Sequence, residues 1–171
     1  TMRRGFLGPT DVHCNAGRVN GTGPMRWNTS GSDIIPHVAK SVVGNNDGSE
    51  WTMTLRKGMR WSDGAPFTAD DFIFQSVDVH GNDDVKPGKQ NWWKGPYDDP
   101  VVVSKVDDVT VKFTYPDAYW LFPKMMLFSC TNYNMPFAPK HHLSQFLPQF
   151  NPDAETLAKA AGFESSTQHF L

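Results

Sequence analysis

The sequence predicts an α+β domain, because strand-like and helix-like segments are mixed along it without a regular β-α-β alternation. Two observations carry that prediction. Trp51, Met53 and Leu55 alternate with Thr52, Thr54 and Arg56, the period of two that buries one face of a strand. Shortly after, Phe67-Thr68-Ala69-Asp70-Asp71-Phe72 carries the start of a helix with its caps in place. A length of 171 residues suits one domain.

Three portions follow in order. Residues 1–32 are rich in Gly, Asn, Thr and Pro with little periodicity, and are expected to form an irregular lead-in. Residues 33–150 are expected to form a small α+β subdomain, and residues 151–171 a C-terminal helix. Within the subdomain, Ile34, Ile35, Val38 and Ala39 cover one helical or extended face, and Gly44-Asn45-Asn46-Asp47-Gly48 is a turn. The strand through Trp51 comes next. Lys57-Gly58 punctuates it, Met59 and Trp61 resume its alternation, and Ser62-Asp63-Gly64 turns the chain.

The helix is the best-specified local element. Thr68 is its N-cap, Asp71 completes a capping box, and Phe67 with Phe72 closes a hydrophobic staple. Asp70 and Asp71 also suit the positive end of the helix dipole. The helix should run over 69–79 and stop at Gly81. Residues 82–100 form a long polar loop containing Asn91-Trp92-Trp93-Lys94-Gly95-Pro96-Tyr97. Two β-rich runs, 101–106 and 109–115, flank Asp107-Asp108 and read as a hairpin. The apolar run 118–128 reads as helical, with Pro123 kinking or ending it. Pro139 opens a short helix through Phe146. In the last helix Asn151 is the cap and Pro152 the first residue, with Ala154, Leu157, Ala158 and Ala161 before Gly162.

Composition excludes some partners. Sixteen Lys and Arg against 18 Asp and Glu leave a net charge of -2, so the basic stripe that tracks a phosphate backbone is missing and nucleic acid is not an expected partner. No apolar run approaches the ~20 residues of a membrane-spanning helix. The start, Thr1-Met2-Arg3-Arg4-Gly5-Phe6-Leu7, holds no hydrophobic signal core, so any secretion signal is expected to have been removed or to lie upstream. Cys14 and Cys130 are read as two isolated thiols, with one disulfide in an oxidising compartment as the alternative.

Chemistry-bearing constellations are sparse. Asp63, Asp70 and Asp71 are near neighbours, and a hydrolase can use such carboxylates as acid and base. Turn and cap roles already account for each of them. Among His13, His37, His80, His141, His142 and His169 only the last-but-one pair is adjacent, and no His-x-x-x-His places two ligands on one helix face. No metal site or cofactor is therefore expected. There is no Gly-x-Ser-x-Gly elbow, no motif around either Cys, and no Gly-rich phosphate loop opening a helix. Nothing announces an enzyme. Aromatic residues make up 13% of the chain, and Trp92, Trp93 and Tyr97, with Tyr119 and Trp120, present flat faces suited either to a ligand or to packing.

The stretch 39–74 carries a resemblance. Glu50-Trp51-Thr52-Met53-Thr54-Leu55-Arg56-Lys57-Gly58-Met59-Arg60-Trp61, continued by Ser62-Asp63-Gly64-Ala65-Pro66-Phe67-Thr68-Ala69-Asp70-Asp71-Phe72, resembles the characteristic motif of the family 5 extracellular solute-binding proteins. The flanks agree: Ile35-Pro36-His37-Val38-Ala39-Lys40-Ser41, the hairpin run Val106-Asp107-Asp108-Val109-Thr110-Val111-Lys112-Phe113, and Pro139-Lys140-His141-His142-Leu143. The resemblance covers about residues 33–150.

It implies part of a periplasmic-binding-protein type II-like fold, namely a first-lobe segment with its small mixed subdomain. It also implies a non-enzymatic role in an ABC importer. The solute, usually a peptide and in other members nickel, opines or sugars, would be captured in a cleft between two lobes and passed to the importer's membrane subunits. Members are much longer than this chain, so a fragment of a larger protein is expected. A periplasmic or extracellular location, peripheral to the membrane with any anchor outside this chain, is implied too. By analogy the 82–100 loop lies nearest the solute, which makes Trp92, Trp93 and Tyr97 the candidate ligand contacts. The motif itself reads as structural and brings no binding role to Trp51, Arg56, Trp61, Asp63 or Asp71. Two other readings stand beside this one: a secreted carbohydrate-active module using the Trp-rich loop and the Asp cluster, and an interaction domain for the importer's membrane subunits.

Overall fold

The computed structural model describes residues 23–85, 100–127 and 136–170. It has the mixed α+β character that the sequence predicts. Met25–Trp27 (β1) pairs antiparallel with Ile34–Pro36 (β2). The turn between them is held by Asn28, whose Oδ1 accepts from the amides of Ser32 and Asp33. β1 therefore lies inside the stretch expected to be irregular. Three residues carry too little periodicity to show in sequence, and the pairing supplies what local propensity lacks.

The main sheet has the order β3-β4-β6-β5, formed by Ala39–Gly44 (β3), Glu50–Leu55 (β4), Val102–Asp107 (β5) and Thr110–Thr114 (β6). Every pairing is antiparallel. The alternation in β4 does what the sequence predicts: Trp51, Met53 and Leu55 are buried and Thr52 is exposed. Across β6, Trp51 faces Phe113 and Met53 faces Val111, so these buried pairs line one face of the sheet. The 101–115 hairpin forms as predicted, with a register shift between Lys105 and Asp107. Of the two readings open for 33–40, the extended one holds.

Two glycines in the β3–β4 turn are needed for shape. The Trp51 ring lies over Gly44, where a Cβ would stand 2.9 Å from it. Gly48 has φ +76 and sits under Trp120, whose ring a Cβ would meet at 2.6 Å.

Ala69–Ile73 (α1) opens with the predicted box: the Thr68 side chain accepts from the helix, and Asp71 accepts from the Thr68 amide. The staple forms as well, with the Phe67 and Phe72 rings 5.8 Å apart. α1 continues into a π-helical segment, Phe74–Val79, that ends just before Gly81. Phe72 enters the main core with Met53, Leu55, Val111, Phe113 and Phe122, while Phe74 and Val79 join a second core with Val85, Ala138 and Leu147. The shift to i→i+5 bonding rotates successive side chains and lets one helical run serve both cores.

The later helices are short. Pro123 sits in the first turn of Phe122–Met125 (α2), so it opens that helix rather than ending it. Its missing N–H is one of the donors a first turn leaves free in any case. Lys140–Leu143 (α3) follows Pro139 and runs into a 3₁₀ turn, Ser144–Phe146, as predicted. The last predicted helix begins later than expected, at Ala154–Ala160 (α4), with Asn151 Oδ1 accepting from the Asp153 amide to form a turn before it. Within it Ala154 and Ala158 are buried, whereas Leu157 is exposed. The stretch 151–171, expected to hold one helix, forms a second one at Ser166–Phe170 (α5), whose first residue is tied to Glu155, which accepts from both the Ser166 amide and hydroxyl.

Candidate functional site

Trp92, Trp93 and Tyr97 lie outside the described residues, as do Cys14 and Cys130. The residues that flank this stretch on either side are described. It leaves from Val85, 1% exposed in the second core, and re-enters at Val101, 3% exposed in the main core. Asn82 Oδ1 accepts from the Asp84 amide and turns the chain just before the departure. The two roots are thus pinned in different cores.

The other two aromatics of the sequence reading resolve differently. Tyr119 is a core residue, its ring 4.8 Å from that of Tyr115, and burial pushes both phenols above their ordinary range. Trp120 is 60% exposed and edges onto Trp51 at 6.2 Å. Tyr119 thus packs inside the protein, and Trp120 covers the Gly48 turn.

The carboxylates each hold a separate partner. Asp63 accepts from the Ala65 amide at 3.0 Å and pairs with His141 Nε2 at 2.7 Å. The Ala65 amide first, and the His141 hydrogen bond next, hold its carboxyl below the usual range. Such a shift is opposite to what a general acid needs. Asp70 pairs with Lys105 at 2.8 Å. Asp71 is 3% exposed and accepts three bonds: from the Thr68 amide at 2.9 Å, from Trp61 Nε1 at 3.2 Å and from the Lys140 amide at 3.1 Å.

That last bond has a structural consequence. The Lys140 amide reaches Asp71 Oδ1, and the Ala138 amide donates to the Asp71 carbonyl at 3.1 Å. Trp61, bonded to the same carboxylate, packs on Phe67 at 5.2 Å and on Phe137 at 6.1 Å. Asp63 holds His141, whose ring lies 6.3 Å from that of Trp61. The Trp-Ser-Asp-Gly turn, the helix cap and the Pro-Lys-His stretch therefore close one clamp that joins the main core to the second. A carboxylate buried this deeply is tolerated because each of its oxygens has a donor.

Among the described residues no three metal-ligating side chains converge. His142 lies against Phe146, and His169 stands between Phe146 at 4.7 Å and Phe163 at 4.6 Å. One feature escaped the sequence reading. A shallow hollow of about 320 Å³ at the end of the main sheet is lined by Lys40, Thr54, Leu55, Arg56, Lys57 and Val109. Its sequence signal is faint, a lone Lys on one strand and an Arg-Lys pair closing the next.

The fold meets a known pattern. Residues 33–167 match the model for bacterial extracellular solute-binding proteins, family 5. The chain belongs to this family. Family 5 proteins are solute-binding components of ABC importers, periplasmic or extracellular, and not enzymes. Among curated relatives, a probable ABC transporter-binding protein of Deinococcus radiodurans is 34% identical over 61% of this chain and 16% of its own length. A periplasmic alpha-galactoside-binding protein of Rhizobium meliloti is 32% identical over 68% of this chain and 16% of its own length. Among solved structures, an oligopeptide-binding protein superposes with a TM-score of 0.82 and 33% identity, covering 99% of this chain and 26% of that one. A periplasmic binding protein of Agrobacterium fabrum in complex with stachyose superposes with a TM-score of 0.57 and 26% identity, covering 87% of this chain and 22% of that one. The chain spans about a sixth of the first two curated relatives. The architecture is that of the type II-like periplasmic binding proteins. Among the described residues no helix is long and apolar enough to cross a membrane.

Proposed function

We propose that this chain is one segment of a two-lobed solute-binding protein that captures a peptide in the cleft between its lobes and hands it to the membrane permease of an ABC importer. The observation that carries this reading is the agreement with the oligopeptide-binding protein, at a TM-score of 0.82 over 99% of this chain. The same superposition covers 26% of that protein, which supports the remaining lobe lying elsewhere in the polypeptide. The 82–100 loop, with Trp92, Trp93 and Tyr97, is the part of the chain assigned to the solute side. Its buried roots at Val85 and Val101 support that assignment, since a loop held by rigid elements can place binding groups. Hinge closure over the solute is the mechanism that two lobes permit. A periplasmic or extracellular location at the membrane surface belongs to the same proposal.

The relative named for alpha-galactosides favours a second reading, an oligosaccharide solute. The natural polypeptide that carries this sequence, titrated calorimetrically with a mixed tri- to pentapeptide library and with stachyose, separates the two. Peptide binding without stachyose binding is expected, and the reverse result overturns the peptide reading. Trp92→Ala, Trp93→Ala and Tyr97→Ala are expected to weaken peptide binding about tenfold each, the scale of a lost aromatic contact. Unchanged affinity in all three variants sinks the loop assignment.

A further inference from the structure

We propose that the hollow at the end of the main sheet is an anion site that takes a phosphoryl group, a phosphate mono- or diester whose stem rests on Leu55 and Val109. Three cations line it from two chain segments: Lys40 near the start of β3, and the adjacent Arg56 and Lys57 just after β4. Among the described residues none of the three forms an ion pair. In contrast, the nearby Lys105 holds Asp70 and Asp108, and Lys112 holds Glu50. Asp107 feels Lys57, so one carboxylate partly offsets the charge, but it makes no direct pair. Excess positive charge is concentrated here in a chain whose net charge is -2.

Arg56 is held in place. Its Nε donates to the His37 carbonyl at 3.1 Å, which fixes the guanidinium plane against the segment just before β3. A guanidinium oriented in this way keeps its outer N–H groups for an oxyanion. The arrangement favours a phosphoryl group over a carboxylate. A planar carboxylate is served by a single Arg edge, whereas a tetrahedral oxyanion accepts from several directions and carries more charge for the two lysines to meet. The volume, about 320 Å³, exceeds what a bare phosphate needs and leaves room over Leu55 and Val109 for an ester stem. The chemistry fits both a soluble phosphoester and the headgroup of an anionic phospholipid.

The test uses the natural polypeptide and the triple variant Lys40→Gln/Arg56→Gln/Lys57→Gln, with thermal unfolding as the control for folding. One arm titrates glycerol 3-phosphate calorimetrically. The other sediments phosphatidylglycerol vesicles against phosphatidylcholine vesicles in low salt. Each surface cation removed should weaken vesicle partition about fivefold, and the triple variant about 100-fold. Saturable glycerol phosphate binding that the triple variant loses places the site with soluble phosphoesters. Partition onto phosphatidylglycerol alone, lost in the same variant, places it with the membrane surface. Binding in neither arm overturns the proposal, as does binding that the variant leaves intact, or binding of a glutamate-rich peptide in place of both phosphoryl probes. If the triple variant does not fold, Arg56→Lys alone keeps the charge and loses the fork, and should lower glycerol phosphate affinity or vesicle partition at least threefold; an unchanged value counts against the site.

Discussion

Replacing Asp71 by Asn tests the clamp most directly. The side chain keeps its size, yet it exchanges a carboxylate that only accepts for an amide with one accepting and one donating edge. In the native protein Oδ2 takes the Thr68 amide and Trp61 Nε1, while Oδ1 takes the Lys140 amide. The Asn oxygen can serve one of these sides. If it serves Thr68 and Trp61, its NH₂ meets the Lys140 amide, and a donor faces a donor. An unmatched buried group costs about 1–3 kcal/mol, and the two retained bonds weaken as their acceptor loses its charge. The expected loss is therefore about 2–4 kcal/mol, most of it in the docking of the Pro-Lys-His stretch. Asp71→Ala, which removes every acceptor, should cost more, about 3–5 kcal/mol.

Hydrogen exchange of the natural polypeptide reads this locally, because the Thr68, Ala138 and Lys140 amides all donate to Asp71. In Asp71→Asn the Ala138 and Lys140 amides should exchange about 30- to 1,000-fold faster, the kinetic equivalent of that energy range. Amides within β4 and β6 should be unaffected, since their bonds lie in the sheet. An increase below threefold at Ala138 would refute the claim that Asp71 holds the two cores together.

Three further outcomes are expected. Gly48→Ala should cost about 1–2 kcal/mol for its left-handed backbone, and should push Trp120 off the turn with a red shift in tryptophan emission; unaltered emission and melting temperature would contradict the close approach. Asp63 should titrate below its ordinary value of 3.8. A carboxyl depressed in the folded state stabilises fully above the unfolded value and loses that contribution as pH falls through the folded one. Stability should therefore decline below about pH 4, and Asp63→Asn should flatten this limb in a thermal melt series; a limb of equal steepness would remove Asp63 as its source. Phe72→Ala should destabilise by about 3–5 kcal/mol in thermal unfolding, because the ring is fully buried between the sheet and Phe137; a loss under 1 kcal/mol would show that the site collapses around the gap.

How much of this was legible in the sequence depended on how local the cause was. The alternation in β4 and the Thr68 box each involve residues within a few positions, so both are read correctly from a short window. The staple is local too, since Phe67 and Phe72 are a turn and a half apart. Three-residue strands such as β1 escape, because their stability lies in the partner strand. Pro123 and Asn151 show a different difficulty. Each is a residue that can serve on either side of a helix boundary, and long-range packing decides which. The role of Asp71 was half visible: its cap function is local, but its bond to the Lys140 amide spans 69 positions and no window holds both ends. The cationic hollow was invisible for the same reason, as Lys40 and Arg56 meet only through the pairing of Ala39 with Leu55.

This division also explains where solute specificity can reside. The long motif is spent on internal contacts: Trp51 covers Gly44 and donates to the Gly48 carbonyl, Trp61 and Asp71 close the clamp, and Phe72 fills the core. A residue whose polar atoms are matched inside the protein and whose surface is buried has nothing left to offer a ligand. Substituting it would change stability before it changed affinity. Solute contacts would then have to come from other segments, and under the proposed function the stretch between Val85 and Val101 is the one assigned that role. Its two roots belong to different cores, and the clamp is one of the links between those cores. A variant that loosens the clamp, such as Asp71→Asn, should therefore weaken solute binding without any contact to the solute. An affinity that holds while the Ala138 amide exchanges freely would show that the loop is positioned by something other than this junction.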